Sequence, residues 1–384
     1  MRTARILMLG LSLLAGLPLH AQFGKSIPIK AGTPEDKALA EIAATTDPAQ
    51  KLALINKFAE ELGKGDMEIV ADDLCENYYF SVKDYEKGFS YGEKLWALDP
   101  ENFANGVNLV RAAQEKNDLN RLFQYGEKTG AIVQRFRAQP VPEGRDAAAW
   151  EQQKTQSLAD IRENLSYVEQ SLFITAYKSS NPADRAAYLE RFAAAFPDSG
   201  YALQAQEIAA TSYQQAQQYP KMLDAANKLL AKDPNDRAML ILLADYFSEK
   251  GEQLDKAEAC ANKAIQLVSA AKKPGNLTDE QWAKQSSLEK GIALSALGQV
   301  NIQKKNNAQA VENLRAAAPL LKSDAFTFAR NQYRLGFALL NLKRVAEARV
   351  ALTEAASVAS PYQGPAKEKL NSLPPGPARS TKKK

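Results

Sequence analysis

Five times in this chain a Thr, Asp or Asn stands directly before a proline: Thr33-Pro34, Asp47-Pro48, Asp99-Pro100, Asn181-Pro182 and Asp233-Pro234. Each couples a side-chain acceptor for the orphan amides of a helix start with a residue whose missing N–H costs nothing there, so each predicts a new helix. Between these points apolar residues return at helical spacing, with short breaks roughly every 15 to 20 residues. The count is about eight consecutive helix pairs between Thr33 and Pro361, the mark of a helical repeat rather than a single bundle. Ala and Leu carry much of the 45% hydrophobic content, which suits packed helices and excludes a disordered chain.

The register is clearest near the C-terminus. Leu294, Leu297, Gly298, Asn301, Ala310, Leu314 and Ala317 are echoed by Gln332, Leu335, Gly336, Leu339, Ala348, Leu352 and Ala355. Upstream, Ala209, Ala210, Tyr213, Met222, Ala226, Leu229 and Pro234 form a third unit, and Leu240, Leu243, Ala244, Phe247, Ala257, Ala261 and Ala264 a fourth after a one-residue insertion. Small residues at Ala210, Ala244, Ala257, Gly298, Ala310, Ala317, Gly336, Ala348 and Ala355 allow two helices to approach closely, and flanking leucines fill what remains.

This pattern resembles the tetratricopeptide repeat (TPR), a helix pair of about 34 residues, and in particular the repeats of exported bacterial envelope proteins; Asn301 departs from it at a position usually aromatic. Asp84 to Asn102 looks like a second helix and its closing turn, with Tyr79 on the first helix; Pro182 to Ala205 is a divergent copy, and Pro34 to Gly63 an atypical cap. The resemblance implies an all-α, right-handed superhelical solenoid. Residues 33–138 and 146–361 are expected as two sub-arrays, divided by a break at 139–145, "QPVPEG" and its flank. A short helix and a disordered basic tail should occupy 362–384.

Two segments depart from the repeat. Asp146 to Lys178 reads as one unusually long helix, in which Leu158, Ile161, Leu165, Val168 and Leu172 alternate by three and four like a coiled-coil seam. The seam covers only about two heptads, so packing inside the array is favoured over a dimer. Lys272 to Leu277 reads as a loop.

Met1 to Ala21 has the form of a secretory signal peptide: Arg2 and Arg5, an apolar run from Ile6 to Leu17, Pro18, then small Ala21. Cleavage there implies a periplasmic or secreted protein, with 22–32 as a linker. Nothing later approaches 18 consecutive apolar residues, so stable membrane insertion is not expected. Formal charge is +4, falling to +2 without the leader's two arginines; the tail from Pro365 carries +5, leaving the body near −3. A body so charged offers no concentrated basic face for nucleic acid.

Catalytic chemistry finds few handles. The one histidine, His20, lies in the leader, which removes histidine-based nucleophilic, acid–base and zinc sites from the remainder. Cys75 and Cys260 are far apart at core-type positions and read as small buried hydrophobes. No metal or cofactor motif is present. Asp72 and Asp73 are neighbours on a helix and point about 100° apart, a poor arrangement for paired acid–base work; solvated charge is expected. An α/α-toroid glycosidase, which also stacks helix hairpins, would need loop carboxylates and sugar-stacking aromatics, whereas Trp96, Trp150 and Trp282 all fall in helical patterns.

The resemblance implies a protein or peptide partner in a concave groove lined by first helices. Carried across residue by residue, the groove positions are Asn77, Thr211, Gln214, Gln215, Asp245, Gln299, Gln303, Arg330, Tyr333 and Asn341. Arg330 is the one cation among them, which disfavours capture of a terminal carboxylate. The expected function is a non-catalytic scaffold or adaptor, with self-assembly as the second reading and a carbohydrate-active toroid as the third.

Overall fold

A computed structural model describes residues 23–374; the leader and the last ten residues lie outside them. Among the described residues, helices follow one another without a strand. The pairs are α1 (Pro34–Ala44) with α2 (Pro48–Glu61), α3 (Met67–Ser81) with α4 (Tyr85–Leu98), and α5 (Phe103–Glu115) with α6 (Leu119–Arg137). A single helix, α7 (Ala147–Asp160), precedes α8 (Arg162–Tyr177) and α9 (Pro182–Ala195). There follow α10 (Ala202–Gln215) and α11 (Tyr219–Lys232), α12 (Arg237–Lys250) and α13 (Leu254–Ala270), α14 (Asp279–Gln303) and α15 (Asn307–Ala317), α16 (Ala325–Asn341) and α17 (Val345–Ser357), and a last helix, α18 (Gln363–Ser372).

One turn repeats through the array. Lys83, Asn117, Gln217, Gly251, Lys305 and Lys343 each take a left-handed conformation between a first and a second helix. The amide of the next residue then donates to a carbonyl five residues back: Asp84 to Tyr79, Asp118 to Ala113, Gln218 to Tyr213, Glu252 to Phe247, Asn306 to Asn301 and Arg344 to Leu339, at 2.8–3.1 Å. This is the 6→1 bond that closes a helix C-terminus. Position 83 lies 34 residues before 117, and 217 lies 34 before 251. Gln253, also left-handed, is the inserted residue.

Not every Asx-Pro step begins a helix. Thr33, Asp47 and Asn181 do cap α1, α2 and α9, accepting from Asp36, Gln50 and Ala183 amides. After Asp99-Pro100 and Asp233-Pro234, however, α5 and α12 start three residues late, capped by Asn102 and Asp236. In both turns the capping residue's amide first returns to the Asp carbonyl at 3.1 Å, so the proline occupies a turn rather than a helix start.

The chain divides into two compact units: residues up to Lys178 with Tyr188–Ala202, and Ser179–Ala187 with residues from Leu203 onward. Residues on both sides of the 139–145 loop thus belong to the first unit. The expected long helix from Asp146 to Lys178 is broken at Ile161. Its seam is consumed internally: Leu165, Val168 and Leu172 are buried, and Leu172 fills the notch at Gly126, where a Cβ would stand 2.4 Å from it. The linker is anchored too. Phe23 stacks on Phe136 at 4.1 Å, and the Lys25 amide donates to Asp99 Oδ2 at 2.9 Å.

The two cores differ in kind. Aromatics fill the first, where Tyr125, Phe58, Phe89, Phe123, Phe136 and Phe192 are fully buried. Small residues let helices close up in the second: Ala210, Ala244, Ala257, Ala310, Ala317, Ala348 and Ala355 are at 0% exposure, and Cβ atoms at Gly298 and Gly336 would stand 2.5 and 2.6 Å from Leu314 and Leu352. Cys75 and Cys260 are free and buried. Trp96 and Trp150 are in the core, whereas Trp282 is half-buried with the Arg237 guanidinium 5.4 Å from its ring. No described helix is long and apolar enough to cross a membrane.

Candidate functional site

In the first unit the first helices α3, α5 and α8 lie side by side and present a polar stripe. Asn108 donates to Asn77 at 3.5 Å, Arg111 to Asn164 at 3.0 Å, and Tyr167 and Ser171 both donate to Gln114. The Arg111 guanidinium also covers the Tyr167 ring at 5.0 Å. Asn77, Arg111, Gln114 and Asn164 are exposed and Asn108 and Tyr167 half-buried, so the stripe offers amides, a hydroxyl and one cation to solvent across three helix pairs.

Beneath it lies an unusual acid. Glu76 is at 0% exposure, and neither carboxylate oxygen has a hydrogen-bond partner. Burial, with Asp73 one turn back, pushes its carboxyl up to about 9 against the pull of the nearby Asn108 amide, so it is neutral at physiological pH. Asn105, also buried, donates to the Gly92 carbonyl at 2.8 Å but leaves its own oxygen without a donor. Asp72 and Asp73 are half-buried rather than solvated, and burial raises both carboxyls.

The second unit treats its first-helix face differently. Asp245 on α12 accepts from Arg330 on α16 at 2.9 Å, and Arg334 lies 3.5 Å away. Arg334 also donates to Ser295 on α14 at 2.9 Å and to Glu249. Burial alone would raise the Asp245 carboxyl, but the two guanidiniums outweigh it and hold the group below its ordinary value. Asp245 and Arg330, expected to line an open groove, are therefore buried at 7% and 9% exposure. They serve as an internal cross-tie in which Arg330 and Arg334 together offset the water Asp245 has lost.

The remaining expected groove residues are placed as follows. Thr211 returns its hydroxyl to the Ile208 carbonyl, exposed Gln215 accepts from Arg185, and Asn341 donates to Asn307. Gln214 and Gln299 are half-buried and Gln303 exposed. Tyr333 is half-buried, its ring 5.7 Å from that of Tyr362. Of the expected groove positions only Asn77 lies on this stripe; Asn108, Arg111, Gln114, Asn164 and Tyr167 were not among them. The 34-residue register of Tyr79 and Ala113 places Arg111 at the position equivalent to Asn77, with Asn108 one turn before it on α5.

The second unit also contains a cleft of about 560 Å³, within the range of ligand sites. Glu207, Asp236, Arg237 and Glu289 line it against Leu203, Leu267 and Ala270. Arg237 pairs with Glu289 at 3.2 Å. Burial, then Asp236 and Glu289, push the Glu207 carboxyl up to about 7 despite Arg237. Glu207, the Asp236-Arg237 pair and Glu289 are far apart in sequence, and no spacing announces them. Among the described residues no group of His, Cys, Asp and Glu side chains is arranged to hold a metal ion.

No known family profile and no curated protein sequence matches the chain. Among solved structures, yeast Tom70 is similar at a TM-score of 0.39 and 12% identity, covering 90% of this chain and 65% of that one. The APC/C hetero-tetramer Cut9–Hcn1 gives 0.29 and 14%, covering 86% and 81%. The helix pairs, their common turn and the glycine-against-leucine crossings make the described residues an all-α array of helix pairs.

Proposed function

We propose that this protein is a non-catalytic scaffold that binds an extended segment of a protein partner along the first-helix face of its first unit. The observation that carries the reading is the stripe of Asn77, Asn108, Arg111, Gln114, Asn164 and Tyr167 on the first helices α3, α5 and α8, exposed except at half-buried Asn108 and Tyr167. Amides both donate and accept, as a peptide backbone does, so such a stripe grips an extended chain with modest affinity spread over area. Selection of phage-displayed random dodecapeptides on the full chain tests it. Retained peptides should lose binding on an Asn77→Ala/Asn108→Ala/Tyr167→Phe variant, and binding unaffected by that variant would reject the face. The leader-like Met1–Ala21 segment supports a periplasmic or secreted address, which fractionation of the native source would check.

A second reading has one observation in its favour. In the acidic cleft of the second unit, Glu207 titrates near 7 beside Asp236 and Glu289, the tuning a general acid requires. Release of sugar fragments from cell-wall glycan, abolished by Glu207→Gln, would move the assignment to a carbohydrate-active enzyme. Against self-assembly through the Leu165 seam stands the burial of Leu165, Val168 and Leu172 within the chain. Light scattering across concentrations should show a constant monomer mass, and a mass that grows with concentration would restore self-assembly.

A further inference from the structure

The cleft of the second unit is lined by two kinds of surface. Leu203 on α10, 57% exposed, joins Leu267 and Ala270 at the end of α13 in an apolar part; Glu207 on α10, Asp236 at the start of α12 and Glu289 on α14 make an acidic part. Among the described residues Arg237 is the one cation of the lining, and it is already committed. Its Nε stands 3.2 Å from Glu289 and its guanidinium 5.4 Å from the Trp282 ring. Asp236 is occupied in capping α12, where it accepts from the Met239 amide at 3.0 Å, and Asp233 at the rim accepts from the Asn235 amide at 2.8 Å. Glu207 is served by neither arrangement: burial, then the like charges of Asp236 and Glu289, govern its carboxyl, and Arg237 opposes them only weakly. Glu289 Oε2, shielded from solvent, receives no hydrogen bond despite the nearby arginine. Among the described residues these acids do not converge as metal ligands would, and a volume of about 560 Å³ is molecular rather than ionic in size.

We propose that this cleft binds an aliphatic primary amine, its ammonium against Glu207 and Glu289 and its hydrocarbon stem along Leu203, Leu267 and Ala270. An ammonium is a compact charge with three N–H donors on an apolar stem. It brings hydrogens to carboxylate oxygens that lack them, while the stem covers an exposed leucine. An anion is repelled by a lining of four acids against one arginine, and a neutral polyol leaves that charge uncompensated. The groups facing Glu207 are Asp236 and Arg237 at the start of α12 and Glu289 on α14, and α13 adds only apolar side chains to the lining. Glu207 therefore gives up its proton when the ammonium arrives, because an adjacent cation favours the charged form of an acid. A free alkylamine and the side chain of a lysine share this chemistry. The proposal concerns the second unit alone and does not rest on the stripe of the first.

Hexylamine, titrated calorimetrically into the full chain, is the probe, with hexanol and hexanoate as controls of equal stem length. The expected result is one amine bound per chain with a dissociation constant of about 1 mM or below, and no comparable binding of either control. Affinity should fall about tenfold per pH unit below pH 7, where the amine must displace the proton of Glu207. Glu207→Gln keeps the shape of the side chain and removes its charge; it should weaken binding tenfold or more and abolish the pH dependence, with circular dichroism confirming that it folds. Leu203→Ser alters an exposed residue and so spares the fold, and should weaken hexylamine while leaving methylamine unchanged. Lysine capped as its Nα-acetyl methylamide separates the two sources: affinity equal to that of hexylamine identifies a partner's lysine as the occupant, and binding of hexylamine alone identifies a free amine. Absence of hexylamine binding, hexanol bound as tightly, or indifference to Glu207→Gln overturns the inference. Release of sugar fragments from glycan that is lost in Glu207→Gln overturns it as well, by giving the cleft to catalysis.

Discussion

Both units are built from the same helix pair and the same left-handed turn, yet they finish their first-helix faces in opposite ways. In the second unit Arg330 and Arg334 reach from α16 to Asp245 and Glu249 on α12 and to Ser295 on α14, so charge on alternate pairs is spent on internal pairing. In the first unit the corresponding face carries mostly short polar side chains: Asn77 bonds within its own helix, Arg111 is the one cation and reaches only Asn164, and the buried acid beneath them, Glu76, has no cation as a partner. A repeat fold therefore does not by itself provide a groove. Whether the inner face is open to a partner depends on whether long charged side chains are available to cross it.

Breaking the cross-tie should have the largest effect. Asp245→Ala leaves Arg330 and Arg334 in a buried site without their shared carboxylate, and should destabilise the second unit by about 3–5 kcal/mol in urea unfolding. An effect under about 1 kcal/mol would mean that the guanidiniums are solvated. Overpacking at the crossing comes next. Gly336→Phe forces a ring against Leu352, 2.6 Å from where even a Cβ would stand, and should cost about 1–3 kcal/mol; an unchanged midpoint would sink that register.

The unpaired acid predicts a pH dependence in the first unit. Glu76 titrates near 9 when folded and near 4.5 ordinarily, so the folded state binds the extra proton. Its contribution to stability is complete below pH 4.5 and is lost as pH rises toward 9, at about 1.4 kcal/mol per pH unit for one proton. Glu76→Gln should flatten that slope between pH 5.5 and 8.5. A slope retained in the variant would assign the titration elsewhere. The smallest effect belongs to the stripe, where Asn77→Ala should change stability by no more than about 0.5 kcal/mol while weakening peptide binding.

The fold was legible in the sequence because its rules are periodic. Gly298 and Gly336 answer Leu314 and Leu352 across each crossing, and small residues recur where helices meet, so the register could be read without seeing a contact. The turn was harder to read: five of its six left-handed residues are Lys, Asn or Gln rather than glycine, and so gave no glycine signal. Asp99-Pro100 and Asp233-Pro234 misled by three residues because an Asx-Pro pair serves a turn as readily as a helix start. The site was least legible. Carrying groove positions across placed Arg330 and Asp245 in solvent, since a position on the repeat does not say that a residue 85 places away will pair with it. Nothing in the sequence separates Glu76 from ordinary helix charge, and only packing beside Gly92 and Asn105 gives it its character.

The most direct test of this account compares two triple variants with the same selected peptide. The account predicts that Asn77→Ala/Asn108→Ala/Tyr167→Phe in the first unit abolishes binding, whereas Gln214→Ala/Gln299→Ala/Tyr333→Ala in the second leaves the dissociation constant within about twofold of the parent chain's. Binding lost in the second variant and kept in the first would contradict it.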